Sequence, residues 1–286
     1  MNGKIIIKMG GGLGNQLFGY AFGRAMSLKT GRELVLDISG FRMYKKPLRR
    51  YLLNNYNINV KTFGLFNNFN IINYILYKRI KKYFGIELFK PSYFNQTGNT
   101  SFISIPTIQG NKDIIYEGGW QSPKYFEEYQ NIIKNELTLK KIPNISPDIL
   151  NAARQPNSIS IHFRRTDYVP LDWSGNWTST YYPEAMKFIK SNIINPRFFV
   201  FSDDIEWVKK NYSFGENAVF CSTFGLKDYE ELYLMSECTN HIMSNSTFSW
   251  WGAYLSKRQG ITITPKECLP TWIDQNNIYI QGWKII

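Results

Sequence analysis

Histidine is almost missing from this chain: there are two in 286 residues, His162 and His241. A zinc site built from several histidines is therefore not expected. Cysteine is scarce too. Cys221, Cys238 and Cys268 are odd in number and share no metal-ligand spacing, so reduced, buried thiols in a cytosolic setting are expected. No run of about 18 apolar residues occurs, which argues against a transmembrane helix. The stretch from Met1 to Met9 is too short, and too soon broken by glycine, for a signal peptide. Acidic residues are outnumbered, 22 against 34 basic, for a net charge of +12. That sign favours anionic partners: a nucleotide, nucleic acid or an acidic membrane face. Nucleic acid is set aside because no RNP, KH or double-stranded-RNA pattern accompanies the basic residues.

What is present is enough for a packed α/β protein. The chain is 43% hydrophobic and 16% aromatic, with only 20% charged residues, which is not the composition of a disordered segment. Residues Lys4–Met9 read as a buried strand, Gly10–Gln16 as a glycine loop, the stretch to about Lys29 as a helix, and Glu33–Ile38 as a second strand. Strand, loop, helix, strand opens a doubly wound domain. The loop is neither a Walker loop nor the dinucleotide fingerprint, since Asn15 or Leu17 stands where the third glycine belongs. Residues 41–110 are less regular. Two basic clusters, Arg42, Lys45, Lys46, Arg49, Arg50 and Lys78, Arg79, Lys81, Lys82, flank an aromatic stretch from Phe63 to Leu76. This stretch reads either as helices packed on the first domain or as an interfacial segment drawn to anionic lipid. A helix is predicted near Tyr125–Glu136.

Three prolines between Pro143 and Pro156 mark the best domain boundary, giving domains 1–150 and 151–286. Beyond it, strands at 158–163, 197–201, 217–221, 240–243 and 260–264 alternate with helices at 181–192, 204–211, 228–237 and 247–257. That alternation signals a parallel sheet.

Ligands of open parallel sheets bind beyond the carboxyl ends of the strands. The residues there are Arg164-Arg165-Thr166-Asp167, Ser202-Asp203-Asp204, Ser222-Thr223 and Ser244-Asn245-Ser246-Thr247. Arginine forks, hydroxyls and a helix start suit a nucleoside diphosphate. Each element also has a plainer reading: Ser246, Thr247 or Asp203-Asp204 as helix caps, and Asp167 as an orienting partner of the arginines. Four such sets at four strand ends favour the ligand site. Two facing doubly wound, Rossmann-like domains, one with a glycine loop and one with a phosphate site, predict a glycosyltransferase of the GT-B type. No Asp-x-Asp motif lies in a suitable loop, so metal-free catalysis with Arg164 on the leaving diphosphate is expected.

The motifs resemble a known family. His162-x-Arg164-Arg165-x-Asp167-Tyr168 is similar to the signature of the α-1,2-fucosyltransferases, glycosyltransferase family eleven. Gly11-Gly12-Leu13-Gly14-Asn15-Gln16-Leu17-Phe18, Glu117-Gly118-x-Trp120-Gln121-Ser122 and Ser244-Asn245-Ser246-Thr247-Phe248-Ser249-Trp250-Trp251 resemble its other motifs. The resemblance implies an inverting enzyme that moves L-fucose from GDP-β-L-fucose to the 2-hydroxyl of a galactose, with no metal and no other cofactor. It implies that Arg164 binds the β-phosphate, that His162 and Asp228 contact guanine, and that Ser246 and Thr247 hold the diphosphate. Arg165, Ser202, Asp203, Ser244 and Asn245 complete the donor site. Gly12, Gly14 and Gln16 face the sugar, and Asn15 joins Arg164 in the catalytic group. Asp172 is the candidate general base and Asp167 the orienting carboxylate, although a highly dissociative transition state needs no strong base. The acceptor is expected to be a galactose-terminated glycan, lipid-linked and destined for surface polysaccharide. The setting is cytoplasmic, with peripheral contact at an anionic inner membrane face. The rival readings are a GT-B enzyme for another nucleotide sugar and a non-catalytic sugar-binding module.

Overall fold

The computed structural model describes residues 3–43, 49–63, 92–96, 102–106, 110–165, 178–266 and 277–286. The chain forms two compact units, Met1–Thr138 and Leu139–Ile286. The division lies upstream of the 150/151 junction marked by the prolines. Ile145 and Ala153 are core residues of the second unit, with Ile149 and Leu150 packed against them.

The first unit follows the periodicity of its opening residues. Strand β1 (Ile5–Lys8) leads through the glycine loop into helix α1 (Leu13–Thr30), which ends at Gly31 in the left-handed conformation with φ 66°. Strand β2 (Leu34–Asp37), the turn α2 (Gly40–Met43), β3 (Lys61–Phe63), β4 (Ser92–Gln96), β5 (Ile114–Gly118) and helix α3 (Gln130–Glu136) follow. All strand pairs are parallel, in the order β3-β2-β1-β5-β4. Ile5 and Ile7 of β1 and Leu17, Phe18, Ala21 and Phe22 of α1 are all buried, and Ile7 packs against the helix at Gly19 and Gly23. Burying each of the isoleucine, leucine and phenylalanine side chains contributes about 1.5–3 kcal/mol. Glu136 fastens α3 to α1: it accepts from the Tyr20 hydroxyl at 2.7 Å and from Arg24 Nη2 at 2.7 Å and Nε at 2.9 Å. The helix predicted from Tyr125 is shorter than expected. Residues 123–125 and 127–129 form two 3-10 turns, and fully buried Phe126 sits between them at φ −137°, outside helical geometry. Both β3 and β4 fall in the stretch that reads as irregular. They are the edges of the sheet, where short, polar strands are usual. The basic residues at 45–46 and 78–82, and the aromatic run 64–76, lie outside the described residues.

The second unit contains α4 (Pro147–Ala153), β6 (Ser158–Phe163), α5 (Thr178–Asn192), β7 (Arg197–Ser202), α6 (Ile205–Asn211), β8 (Val219–Phe220), α7 (Asp228–Glu237), β9 (Asn240–Ile242), α8 (Thr247–Tyr254), β10 (Thr262–Thr264) and β11 (Lys284–Ile285). Again every pair is parallel, in the order β11-β10-β9-β6-β7-β8. The chain steps outward from β6 to β8, then returns to β9 on the other side of β6 and steps outward again. This is the Rossmann strand order, and the reversal falls between β6 and β9. One sheet face (Ile159, Ile161, Phe163, Phe198, Val200, Ile242) packs on Tyr181, Tyr182, Ala185 and Ile189 of α5. The other face (Phe199, Phe201) packs on Ala153 of α4 and on Leu234 and Met235 of α7. Burial on both faces accounts for the unbroken run Phe198-Phe199-Val200-Phe201. Cys221 and Cys238 are free thiols in this second core, and burial holds both thiols well above their usual pKa. Among the described residues no helix is long and apolar enough to cross a membrane.

Candidate active site

The centre of the site is built by β6, the innermost strand. Ser158, Ser160 and His162 alternate with its three apolar residues, and all six are buried. Burial requires that each polar group find a partner. Ser158 Oγ accepts from the Thr239 backbone N–H at 2.9 Å, and the Ser160 hydroxyl meets His241 Nδ1 at 2.7 Å. His162 Nδ1 meets the Ser244 hydroxyl at 2.9 Å. His241 is thus a core histidine. Burial pushes both imidazoles down to about 3; at His162 the Arg164 guanidinium adds to this and the Asp203 carboxylate opposes it. His162 is therefore neutral at physiological pH.

Register then brings the strand ends together. Phe163 lies opposite Ser202, so Arg164 and Arg165 emerge beside Asp203 and Asp204. Ile161 lies opposite Ile242, so Ser244 follows β9 next to His162. Arg164 Nη1 is 3.3 Å from Asp203 Oδ2, with 31% of the arginine side chain exposed. Asp203 Oδ1 accepts the Arg165 backbone N–H at 2.8 Å. Asp204 is the cap of α6, accepting from the Trp207 N–H at 3.3 Å. The two adjacent aspartates thus divide the roles that sequence reading left open. Ser202 is buried, and its hydroxyl accepts the Asp204 N–H at 3.0 Å.

Across the reversal, buried Ser246 caps α8 by accepting from the Phe248 N–H at 3.3 Å. Thr247 begins the helix, and buried Ser244 and Asn245 precede it. The helix is fixed from behind by Trp250, whose indole N–H donates to the Ile278 carbonyl at 2.8 Å. Its N-terminus, flanked by hydroxyls at the strand reversal, favours an anion. Asp228 begins α7 and is exposed.

Sequence reading missed Glu231. It stands three residues after Asp228, hence on the same face of α7. Burial pushes its carboxyl up to about 7; a hydrogen bond from Ser222 opposes the shift, and the charges of Asp228 and Asp203 add to it. The i, i+3 spacing of the two acids was the available signal. Asp167 and Asp172 lie outside the described residues.

These shifts predict the acid limb of stability. Both histidines titrate lower in the folded protein, so the stability they confer is present above pH 6.5 and is lost as pH falls toward 3. Glu231 has the opposite sign: its contribution is present below pH 4.5 and is lost as pH rises through about 7. Two groups outweigh one, so stability is expected to fall by about 1 kcal/mol per pH unit between pH 6 and pH 5. Urea unfolding at pH 7, 6 and 5 reads this directly. A flat profile would contradict the burial of the imidazoles.

The first unit has its own strand reversal, between β1 and β5. The glycine loop follows β1, and residues 119–122 follow β5. Gln121 Nε2 donates to Asn15 Oδ1 at 3.1 Å and ties the two loops. Gly11 is at φ 74°, and a Cβ there would lie 2.5 Å from Asn15 Nδ2. Gly12 precedes α1 with no side-chain cap and no acidic residue in the first turn, which leaves an electropositive helix start. Gly14 is buried in that turn. Gln16, expected to face the sugar, is 1% exposed. Its amide donates to the Gly11 and Arg50 carbonyls at 3.2 and 2.9 Å and accepts from the Leu52 N–H at 2.9 Å. Its part is to clamp residues 50–52 to the loop. Trp120 is fully buried at φ 50° and stacks on Phe22 at 4.1 Å. Such strain is retained where the surroundings fix it.

Parallel sheets with hydroxyls and arginines at their strand ends fit an α/β protein that binds a nucleotide, and the family comparison makes the chain a glycosyltransferase. The description of Glycosyl transferase family 11 matches residues 65–286. The chain belongs to that family. An Escherichia coli alpha-1,2-colitosyltransferase is 32% identical over 281 residues, 91% of each chain. The Escherichia coli O-antigen biosynthesis glycosyltransferase WbnK is 28% identical, over 94% of this chain and 95% of its own. The crystal structure of the NodZ alpha-1,6-fucosyltransferase co-crystallised with GDP aligns at a TM-score of 0.48 and 13% identity, covering 88% of this chain and 92% of its own.

Proposed function

We propose that this glycosyltransferase transfers L-fucose, with inversion, from GDP-β-L-fucose to the 2-hydroxyl of a terminal galactose, on a glycan of the O-antigen type. The observation that carries the reading is Arg164 at the end of β6, one strand away from the hydroxyl-lined start of α8, in a chain of family 11. In this reading Arg164 takes the β-phosphate. Its charge offsets the negative charge that grows on the diphosphate as the sugar–oxygen bond breaks. Ser246, Thr247 and the N-terminus of α8 take further phosphate oxygens. Neutral His162, with its ring held by Ser244, presents a fixed donor or acceptor to the base, and Asp228 accepts from the base edge. Asn15 orients the sugar or the acceptor hydroxyl. Asp172 takes the acceptor proton and Asp167 supports the arginines. No metal or other cofactor is invoked, because the guanidinium and the helix dipole supply the positive charge.

A second reading, transfer from another nucleotide sugar, is favoured by one finding: the 32% identical relative is named a colitosyltransferase. Donor-cleavage assays with GDP-fucose, a nucleotide-activated colitose and UDP-galactose, each with a galactose-terminated disaccharide, separate the two. The first reading predicts that cleavage is fastest with GDP-fucose, by at least tenfold. Faster cleavage of the colitosyl donor would replace it with the second.

A further inference from the structure

The two arginines that leave β6 have different surroundings. The Arg165 guanidinium carbon lies 3.3 Å from the ring centroid of Trp207, a stacking distance. Its Nε is 3.4 Å from Asp204 Oδ2. Trp207 packs against the core that holds Phe163, Tyr182 and Tyr212, on the α5 side of the sheet. His162 bonds to Ser244 on the other side. Side chains that alternate along a strand diverge to opposite faces, and the stack shows this divergence continuing past the strand end. Arg165 is therefore turned away from the face where His162 and Ser244 meet. Its backbone N–H, however, goes to Asp203 Oδ1, while Asp203 Oδ2 pairs with Arg164.

We propose that Arg165 and Trp207 are positioning residues: their stack fixes the backbone of residue 165, that backbone fixes Asp203, and Asp203 aims Arg164, while Arg165 itself makes no contact with the donor diphosphate. The proposal deepens the reading of the β6 end as a nucleoside diphosphate site and rests on it. It also gives Trp207 a role that no sequence motif suggests. The Asp204 cap contributes, since it holds Trp207 through the first turn of α6 and Arg165 through the same carboxylate.

The test is calorimetric titration of GDP into the full-length wild type and into Arg165→Ala, Trp207→Ala, the double variant, Arg165→Lys and Trp207→Phe, with a thermal melt of each. Each alanine variant is expected to weaken GDP about tenfold, the scale of a well-packed cation–π contact. The double variant should be no weaker than either single one, because both remove the same stack. Trp207→Phe keeps a ring face and should bind within about threefold of wild type. Arg165→Lys keeps the charge but not the planar stack, and should behave like alanine.

A direct phosphate contact gives a different pattern: Arg165→Lys retains binding and Trp207→Ala is silent. That pattern, or losses that multiply in the double variant, overturns the proposal. If Trp207→Ala fails to fold, the phenylalanine and lysine variants still decide between the two. Wild type that binds neither GDP nor UDP overturns the underlying reading of the site, and the proposal with it.

Discussion

Replacing Arg164 by alanine is expected to lower turnover by roughly 10²–10³-fold, the scale set by removing a preorganised donor from developing negative charge. Stability should hardly change. Its ion pair with Asp203 at 3.3 Å is about a third exposed on the arginine side, and such pairs contribute at most about 1 kcal/mol. Asp203 keeps its bond from the Arg165 N–H. Arg164→Lys should recover part of the loss, because a point charge remains but the planar fork does not. Turnover with saturating donor, alongside thermal melts, makes the measurement. Arg164→Ala with wild-type turnover would remove the guanidinium from the mechanism.

Gly11→Ala should damage both stability and transfer. At φ 74° an alanine is strained by about 1–2 kcal/mol. Its Cβ would also stand 2.5 Å from the Asn15 amide nitrogen, so the carboxamide must move and its bond from Gln121 is lost. A fall of several degrees in melting temperature is expected, with turnover reduced at least tenfold by the misplaced amide. Gly12→Ala is the control. It has φ −72°, and among the described residues nothing beyond its chain neighbours lies within 4 Å of a Cβ there, so its melting temperature should stay close to wild type. Any loss of transfer in Gly12→Ala then reports a ligand close to the loop. Equal turnover in Gly11→Ala and wild type would mean that Asn15 has no part in the reaction.

Four interior strands were legible, β1, β2 and β7 from nearly continuous apolar runs and β6 from alternating apolar residues, and they fall within a residue of where the pattern puts them. Edge strands β3 and β4 were not. Lys61–Phe63 and Ser92–Gln96 carry polar side chains, and only their position at the rim makes them strands. That the ends of β6, β7 and β9 meet was legible from the strand–helix alternation, but the division of labour among their residues was not. Two arginines in sequence look equivalent until one is seen stacked on Trp207, forty-two positions away in the chain. Gln16 sits in a motif that suggested ligand contact, yet the structure shows it clamping Leu52 and Arg50. That contact depends on a chain segment with no periodic signal. Glu231 escaped notice because a carboxylate's environment is a property of the folded helix packing, not of its neighbours in sequence.

One reaction is decisive. Purified protein incubated in EDTA with GDP-fucose labelled in the sugar and a galactose-terminated disaccharide is expected to release GDP and give a trisaccharide with fucose α-linked at the galactose 2-hydroxyl. Linkage analysis of that product by NMR tests donor, acceptor position and stereochemistry together. Folded protein that yields no labelled trisaccharide, or one linked at another hydroxyl, would contradict the central claim.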